Sequence, residues 1–276
     1  MNELSILSTV KLNNQVEMPL LGLGIYETGS SRQTQNAVAW ALEVGYRHID
    51  TAKLYGNESD IAPVLQKMSL ARNEVFVTSK LWNSDHGYDK SIRAFNHSLE
   101  RSGLGYFDLF LIHWPVEKLR ADSWRALETI YQEGKCRAIG VSNYTIRHLE
   151  ELLGACKVPP AVNQVEYHPF LYQKKLLEFC RANNIRLSAY SPLTKGEKLD
   201  DNTLKTIGNR YGKSPAQIMI RWVLEQEVIV LPKSARQSRI IENAEVYDFH
   251  LEESDRKTLD ALNQDWHCTW NPTNIV

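Results

Sequence analysis

Few features set this sequence apart from an ordinary globular protein. The residues and motifs that it lacks narrow down the class of protein to which it can belong. Cysteine is sparse among the 276 residues: Cys136, Cys156, Cys180 and Cys268 lie far apart, without a C-x-x-C pair or a zinc-type spacing. The histidines show no ligand spacing for zinc either. We therefore expect reduced thiols, as is usual in the cytoplasm, and no metal in the site.

Long hydrophobic runs and an excess of charge are also missing. No segment approaches the run of ~18 apolar residues that a membrane-spanning helix needs. The first residues, MNELSILSTV, lack the basic region of a signal peptide. The 32 Lys and Arg are balanced by 33 Asp and Glu, which leaves a net charge of −1. Without a basic block we expect no nucleic acid partner, no membrane partner and a cytoplasmic location.

The glycine signatures of nucleotide-binding sheets are a further absence. Gly22-Leu23-Gly24 is not followed by the third glycine of G-x-G-x-x-G, and the sequence has no P-loop. A doubly wound open sheet is therefore the alternative fold and not the main prediction.

The sequence does contain a series of short β-branched or apolar runs that each end in a reactive side chain. In a (β/α)8 barrel the active site is built from the ends of several strands. The length of 276 residues also suits one such barrel, which typically has ~250 residues. We therefore predict an α/β fold in which residues 1–276 form a single (β/α)8 TIM barrel domain. The residues at the strand ends are Asp50, Lys80, His113, Ser142 with Asn143, Gln164, Tyr190 and Lys233.

Additions to the barrel are predicted near both ends of the chain. Residues 9–18 should form a hairpin that caps one mouth of the barrel, with Asn13-Asn14 in its tight turn. Residues 20–24 should be the first barrel strand, and residues 266–276 a short tail lying over the barrel. Ser214 followed by Pro215 marks a helix start. Helices are predicted at residues 32–44, 57–68, 89–101, 123–133, 145–156 and 173–183, with two extra helices at 199–211 and 215–225 before the last strand at 228–231.

Four residues suited to acid–base chemistry, Asp50, Tyr55, Lys80 and His113, lie at three strand–loop junctions that barrel closure could bring together. A tyrosine hydroxyl titrates near ~10, so it is a weak acid at neutral pH. A neighbouring lysine ammonium favours the phenolate and lowers the tyrosine pKa, and a carboxylate keeps that lysine charged. A histidine N–H can orient and polarise a carbonyl oxygen. The set predicts a proton donor aimed at a carbonyl group.

Each of these residues also has a purely structural interpretation. Asp50 could cap a helix, Lys80 could be a surface cation, Tyr55 could pack, and His113 could be a core histidine. Two other functions stay open: a binding or regulatory protein without turnover, and a phosphate-binding barrel isomerase or lyase using Lys80 as base or Schiff-base amine. The joint presence of four reactive types favours an enzyme.

Six short segments follow one another along the chain in a recognisable order. They are D-T-A-x-x-Y-x-N-E at residues 50–58, S-K-L-W at 79–82, L-F-L-I-H-W-P at 109–115, G-V-S-N-Y at 140–144, N-Q-V-E-Y-H-P at 163–169, and L-P-K-S at 231–234 with R-I-I-E-N at 239–243. Together they resemble signatures of the aldo-keto reductases, and the resemblance covers nearly the whole chain. It implies a (β/α)8 barrel that binds NADPH without a Rossmann fold and reduces aldehydes and ketones to alcohols by hydride transfer. The chain is similar to compact microbial and protist members, so small aldehydes, α-dicarbonyls and sugar-type ketones are the expected substrates.

The resemblance implies a role for each candidate residue. Tyr55 would be the general acid, Lys80 would lower its pKa, Asp50 would fix Lys80, and His113 would orient the carbonyl. The remaining residues would bind the cofactor. They are Ser142, Asn143 and Gln164 for the nicotinamide carboxamide, Tyr190 for its ring, Ser191 and Leu193 for the pyrophosphate, Lys233, Ser234 and Arg239 for the 2′-phosphate, and Glu242 and Asn243 for the adenine edge.

Aromatic residues are expected to form the mouth of the substrate pocket. Tyr26, Trp82 and Trp114 fill this role, since broad aromatic walls suit an apolar pocket. Lys53 departs from the family pattern beside the catalytic tyrosine, and we hypothesise that its charge favours acidic or polar carbonyl substrates. The small-molecule carbonyl substrate is the only partner expected, and the protein is expected to be a monomer.

Overall fold

A parallel sheet of eight strands forms the centre of the molecule in the computed structural model, which describes residues 4–275. Each strand pairs with the strand that precedes and the strand that follows it in the chain, and the helices lie in the connections. This is the predicted (β/α)8 order. The strands are β3 (Leu23–Gly24), β4 (His48–Asp50), β5 (Phe76–Leu81), β6 (Phe107–Ile112), β7 (Cys136–Ser142), β8 (Val162–Glu166), β9 (Arg186–Tyr190) and β10 (Ile229–Leu231).

The barrel closes between the first and the last strand. Two parallel bridges, Leu21 with Val230 and Gly24 with Lys233, join the residues around β3 to those around β10. The amide of Gly22 donates to the carbonyl of Val230 at 3.0 Å. A Cβ atom at Gly22 would lie 2.5 Å from Nδ1 of His48 and 2.7 Å from Cδ2 of Leu231, so glycine leaves the room that these two side chains occupy. The first strand is shorter than the predicted residues 20–24 because bridges replace a full ladder there.

An antiparallel hairpin of β1 (Thr9–Lys11) and β2 (Glu17–Pro19) precedes the barrel. Its turn differs from the prediction, because the positive φ of 69° falls on Gln15 and not on the asparagine pair. The asparagines instead hold the hairpin on the barrel: Asn13 Nδ2 donates to the carbonyl of Pro160 at 3.1 Å, and Asn14 Nδ2 to that of Arg137 at 2.8 Å. Both acceptors lie near the amino ends of strands, so the hairpin covers that mouth of the barrel.

Ten α-helices surround the sheet in the described residues. Ser214 caps the helix that starts at Pro215, as predicted, and Ser30 closes a similar capping box. The segment predicted as one helix over residues 57–68 is a 3₁₀ turn followed by a shorter α-helix. The helices are α1 (Ser31–Val44), α2 (Ile61–Lys67), α3 (Tyr88–Ser102), α4 (Arg120–Gln132), α5 (Ile146–Leu153), α6 (Lys174–Ala182), α7 (Asn202–Tyr211), α8 (Pro215–Leu224), α9 (Gln237–Ala244) and α10 (Glu253–Asp260).

A buried carboxylate at the amino end of the barrel binds two arginines. Asp108, the second residue of β6, pairs with Arg72 at 2.7 Å and with Arg137 at 2.8 Å. It also accepts the amide of Val77 at 2.9 Å. With these three partners its charge is compensated, and it ties β5, β6 and β7 together. We call Arg72, Asp108 and Arg137 the amino-end clamp.

The tail predicted to lie over the barrel does so. The amides of Gln264 and Trp266 both donate to the carbonyl of Phe170, at 3.1 and 3.2 Å. Its only regular element is a 3₁₀ turn, Pro272–Asn274, and the final residue of the predicted tail, Val276, lies outside the described residues. Among residues 4–275 no helix is long and apolar enough to span a membrane.

Candidate active site

The residues predicted at strand ends meet at the carboxyl end of the barrel. Asp50 is the last residue of β4, Lys80 the fifth of the six residues of β5, and His113 follows β6 directly. Tyr55 lies on a 3₁₀ turn, Lys53–Tyr55, five residues beyond Asp50. Because parallel strands end at one edge, the sheet register brings these four side chains, far apart in the sequence, into one place.

Lys80 is the centre of this group and has no exposed surface. Its Nζ donates to Oδ1 of Asp50 at 2.5 Å and to the carbonyl of Thr51 at 2.9 Å. The same Nζ lies 3.4 Å from the hydroxyl of Tyr55. Burial lowers the pKa of Lys80, while the charge and the hydrogen bond of Asp50 act in the opposite direction. Lys80 is thus a buried cation whose three neighbours are a carboxylate, a carbonyl and a phenol.

The pKa of Tyr55 differs from the sequence-based expectation. It is raised well above its usual value, first because the group is buried and then because of the negative charge of Asp50. Burial, and then the charge of Asp50, thus set the net direction of this pKa, and the lowering that we expected from Lys80 does not outweigh them. Tyr55 keeps its proton throughout the neutral range, which is the state that a proton donor needs.

His113 faces Tyr55 as a neutral imidazole. The two rings meet edge to face with centroids 5.9 Å apart. Burial, together with the positive charge of Lys80, lowers the pKa of His113 well below its usual value. Its Nδ1 is buried and has no hydrogen-bond partner among the described residues. A neutral ring with one N–H can donate a hydrogen bond to a carbonyl oxygen without adding a charge to the site.

Four of the residues expected to hold the nicotinamide form one hydrogen-bonded network. The hydroxyl of Ser142 donates to the carbonyl of Gln164 at 2.8 Å, and Gln164 Nε2 donates to Oδ2 of Asp50 at 2.8 Å. Asn143 Nδ2 donates to the carbonyl of His113 at 2.9 Å, and its Oδ1 accepts from the hydroxyl of Tyr190 at 2.8 Å. The network therefore fixes the amides relative to the catalytic group.

The residues expected at the pyrophosphate follow β9 in a turn. Ser191 has a φ of 48°, and the next residues with positive φ are Thr194 and Lys195, at 53° and 52°. Leu193, between them, is half-buried against the core. Successive backbone amides in such left-handed turns can point at a common anion. The turn is thus a suitable place for a phosphate, although sequence patterns gave no sign of its conformation.

A group of cations lies where the last strand leads into α9. Lys233 is exposed just after β10, and Arg236 caps α9, with Arg239 in its first turn. The described residues contain no carboxylate within ion-pair distance of any of these three. Ser234 is buried and accepts the amide of Arg236 at 3.1 Å. Unpaired cations beside a helix amino terminus favour an anion such as a phosphate.

The two residues expected at the adenine edge differ in their surroundings. Asn243 is buried on α9. The carboxylate of Glu242 accepts the hydroxyl of Ser214 at 2.5 Å, which ties α9 to the start of α8. The structure therefore gives Glu242 a bracing contact that the sequence did not predict.

Two of the three aromatic residues expected at the substrate mouth, Tyr26 and Trp82, pack against Tyr55 and His113, and the third, Trp114, packs against the tail. Tyr26 is exposed, and its ring lies 4.9 Å from that of Tyr55. Trp82 packs edge to face on His113 at 5.3 Å. Trp114 meets a further indole, Trp270 of the tail, at 5.6 Å. Aromatic rings thus lie against both Tyr55 and His113.

Lys53 is paired, contrary to our hypothesis of free positive potential. Its Nζ lies 2.5 Å from Oδ2 of Asp85, and both side chains are partly buried. The aspartate compensates the charge that was expected to attract acidic substrates. Asp85 follows Trp82 after β5, and nothing in the local pattern linked it to Lys53.

The sequence analysis also missed Glu166, the last residue of β8. It is buried with His168, and their possible ligand atoms and that of Cys268 lie within 4.8 Å of one another. Both Glu166 oxygens already accept hydrogen bonds from the protein, and burial raises the pKa of the Cys268 thiol to about 12. This bonding explains the cluster without a metal ion. The sequence signal that could have pointed to Glu166 is its position in N-Q-V-E-Y-H-P, where a charged residue ends a buried strand.

Comparisons with known proteins agree with this architecture. The model of the "Aldo/keto reductase family" matches residues 20–264. Glyoxal reductase of Bacillus subtilis is 46% identical over 99% of this chain and 99% of its own length. The 9,11-endoperoxide prostaglandin H2 reductase of Trypanosoma cruzi is 47% identical over 96% and 95%. A solved structure, the Bombyx mori aldo-keto reductase in complex with NADP, superposes with a TM-score of 0.90 at 32% identity, covering 95% of this chain and 94% of that one.

The family match, the fold and the grouping of the four side chains therefore agree with one another. Eight parallel strands close into a barrel, and its carboxyl end carries a buried lysine between an aspartate and a tyrosine, with a neutral histidine opposite. The match covers almost the full length of both proteins for the reductases named above. The chain belongs to the aldo/keto reductase family and is an NAD(P)H-dependent oxidoreductase that acts on carbonyl groups.

Proposed function

We propose that this protein reduces small aldehydes, α-dicarbonyls and sugar-type ketones to alcohols with NADPH, and that Tyr55 is the general acid. The observation that carries this proposal is the position of Lys80 Nζ, which contacts Asp50, the carbonyl of Thr51 and the hydroxyl of Tyr55. A buried cation beside a protonated phenol stabilises the phenolate that forms when the proton leaves.

The site residues divide the reaction between them. The N–H of neutral His113 orients and polarises the carbonyl oxygen, so that the carbonyl carbon becomes electron-poor. NADPH, when bound, supplies the hydride for that carbon. The phenol of Tyr55 donates its proton to the oxygen as negative charge develops there. An alkoxide is a far stronger base than a phenolate, so the raised pKa of Tyr55 does not prevent this transfer.

NADPH fits the residues around the site. Tyr190 offers a ring whose hydroxyl is fixed by Asn143, so it can support the nicotinamide. Gln164 uses its Nε2 for Asp50, and its Oε1 has no partner among the described residues, which leaves an acceptor for the carboxamide. The unpaired cations Lys233 and Arg239 suit the 2′-phosphate that distinguishes NADPH from NADH. The NADP complex of the silkworm relative supports this assignment.

The substrate class follows from the mouth of the pocket and from the relatives. Tyr26, Trp82 and Trp114 give apolar walls, and His113 and Tyr55 are the polar groups that converge on the carbonyl. Lys53 does not add free charge, because Asp85 neutralises it. The name of the Bacillus relative, glyoxal reductase, supports an α-dicarbonyl.

The test replaces Tyr55 by phenylalanine. Tyr55→Phe removes the proton donor and keeps the ring, so methylglyoxal reduction should fall by about 100-fold or more while NADPH binding persists. The control is Tyr88→Phe on the exposed residue Tyr88, whose hydroxyl lies 3.0 Å from that of Thr129. Turnover is followed by loss of NADPH absorbance and binding by fluorescence titration. Full activity in Tyr55→Phe would refute the acid, and borohydride trapping of substrate on Lys80 would favour the lyase alternative.

Three further expectations remain predictions. We propose that residues 1–276 form one domain, that the protein is a monomer, and that it works in the cytoplasm. The four cysteines are free in the structure, which suits a reducing compartment. Light scattering coupled to gel filtration tests the oligomeric state, and imaging of the tagged full chain tests the location.

A further inference from the structure

The turn that carries Tyr55 is short and contains two backbone hydrogen bonds. It is a single 3₁₀ turn, Lys53–Tyr55, in which the amide of Tyr55 donates to the carbonyl of Ala52 at 2.9 Å and the amide of Gly56 to that of Lys53 at 3.2 Å. The hydrogen bonds of a 3₁₀ turn have poorer geometry than those of an α-helix. The position of the phenol therefore depends on contacts outside the turn.

A buried side-chain amide, Asn57, bridges the two ends of this turn. The hydroxyl of Thr51, before the turn, donates to Oδ1 of Asn57 at 2.6 Å, and Nδ2 of Asn57 donates to the carbonyl of Ile25 at 2.8 Å. A carbonyl can only accept, which fixes the orientation of the amide. Asn57 is 7% exposed, and Thr51 is fully buried. We call Thr51, Asn57 and Ile25 the turn clasp.

The turn clasp is also bonded to the strands that carry the aspartate and the lysine of the site. The amide of Thr51 donates to the carbonyl of Thr78 at 2.9 Å, and its carbonyl accepts from Lys80 Nζ at 2.9 Å. The amide of Ile25 donates to the carbonyl of Asp50 at 3.1 Å. A shift of Thr51 would therefore move an acceptor of the lysine and the start of the phenol-bearing turn together.

We propose that Asn57 is a positioning residue of the proton donor, which acts through the turn clasp to hold the hydroxyl of Tyr55 at 3.4 Å from Lys80 Nζ. This inference rests on the proposed role of Tyr55 as the general acid. Asn57 acts through the backbone at both ends of the turn, because its bonds go to Thr51 and Ile25. A misplacement of about 1 Å in a reacting group can cost about 100-fold in rate. Loss of the clasp should therefore slow the reaction and leave cofactor binding intact.

The first experiment removes the hydroxyl of the clasp at nearly constant volume, by Thr51→Val. The kcat for methylglyoxal should fall by about ten-fold or more, whereas KM and the Kd of NADPH should change by less than about two-fold. Thr51→Ser, which keeps the hydroxyl, should recover most of the lost activity. An unchanged kcat in Thr51→Val would overturn the inference.

A matched control separates position from stability. Ser102→Ala removes a buried hydroxyl at the end of α3, remote from the site, which donates to the carbonyl of Leu99 at 2.8 Å. Its free energy of unfolding should fall, as in Thr51→Val, but its kcat should not change. A merely structural role for the clasp would lower kcat alike in both variants, and that result would also overturn the inference.

The second experiment repeats the change in the absence of the phenol. Asn57→Ala should lower kcat by about ten-fold or more in the wild-type background but by less than about two-fold in Tyr55→Phe, because the group that it positions is gone. Thr51→Val in the same two backgrounds gives a second, milder version of the test. Equal losses in both backgrounds would overturn the positioning role.

The third experiment needs no turnover. Amide hydrogen exchange at Tyr55 and Gly56 should be about ten-fold faster or more in Asn57→Ala, because the turn opens more easily without the clasp. Unchanged exchange at both amides would overturn the clasp.

The outcomes separate this inference from the proposed function. An inactive Tyr55→Phe together with wild-type kcat in Thr51→Val and Asn57→Ala would overturn the positioning role while Tyr55 remains the acid. Full activity in Tyr55→Phe would overturn the proposed acid and this inference with it.

Discussion

Removal of the carboxylate beside Lys80 should destabilise the protein strongly at neutral pH and weakly at high pH. In Asp50→Asn the ammonium of Lys80 stays in a site without exposed surface and loses its partner at 2.5 Å. Breaking a buried pair in this way costs about 3–5 kcal/mol. Lys80 can limit this loss of stability by releasing its proton. Deprotonation of a lysine costs about 1.36 kcal/mol for each unit by which the pH lies below its usual pKa of ~10.4. The loss at pH 7 therefore has an upper limit of about 4.6 kcal/mol.

The pH dependence has a definite sign. A lysine whose pKa in the folded state is lowered loses its proton on folding, so the unfolded chain binds more protons and stability rises with pH up to the unfolded pKa. The upper limit of the Asp50→Asn loss therefore shrinks to about 1.9 kcal/mol at pH 9. Urea titrations followed by circular dichroism at pH 7, 8 and 9 measure this directly, with comparison of m values.

A double variant separates the interaction energy of the ion pair from the effect of each substitution on stability. Asp50→Asn combined with Lys80→Met removes both charges, so its loss should be smaller than the sum of the single losses by about 3 kcal/mol. Activity should stay low in all three variants, because restored stability does not restore the proton donor's partner. Asp122→Asn, which breaks an exposed pair with Arg125, is the matched control and should cost about 1 kcal/mol or less. Additive losses, or a loss that does not change between pH 7 and 9, would refute this account of Lys80.

Three other predictions concern stability, charge and cofactor choice. Burial, and then the charge of Lys80, lower the pKa of His48 to about 3 from 6.5. The free energy of unfolding should therefore fall as the pH drops below 6.5, and His48 should account for a loss of about 2 kcal/mol at pH 5. Urea titrations of His48→Asn should show a shallower fall of the free energy of unfolding with pH. Lys53→Ala should affect charged and neutral aldehydes alike, whereas Asp85→Asn frees the lysine and should lower KM for carboxylate-bearing aldehydes; equal responses to Asp85→Asn would contradict this. Arg239→Ala should weaken NADPH binding by about ten-fold or more in a fluorescence titration, since a charge-assisted contact is lost, and NADH binding should change little.

The sequence allowed the catalytic edge of the barrel to be predicted because strand ends are local features. Asp50, Lys80 and His113 each lie at or directly beside the end of a short apolar run, and parallel pairing places all such ends together. Gln164, also predicted at a strand end, is the third of the five residues of β8. The helix start at Ser214 and Pro215 could be predicted because a capping hydroxyl followed by proline is also a local feature of the sequence. Helix α10 was missed because only Leu259 and Asp255 of its eight residues are buried, so it has almost no apolar periodicity.

Other parts of the site depend on long-range contacts that leave no local pattern. Glu166 and Thr269 are 103 residues apart in the chain and meet only because the tail crosses the barrel. Lys53 and Asp85 lie in turns after different strands. The net direction of the Tyr55 pKa depends on how deeply the phenol is buried, which residue types cannot give. The direction of a pKa shift therefore needed coordinates, whereas the placement of Asp50, Lys80 and His113 at one end of the barrel could be predicted without them.

The amino-end clamp separates the residues that stabilise the barrel from those of the candidate active site. Asp108 and its two arginines join three neighbouring strands at the end of the barrel opposite to Asp50, Lys80 and His113. The loops at the carboxyl end can therefore diverge in length and composition, because the amino-end clamp keeps β5, β6 and β7 in register. New specificities can arise on such a scaffold by exchange of the loops alone.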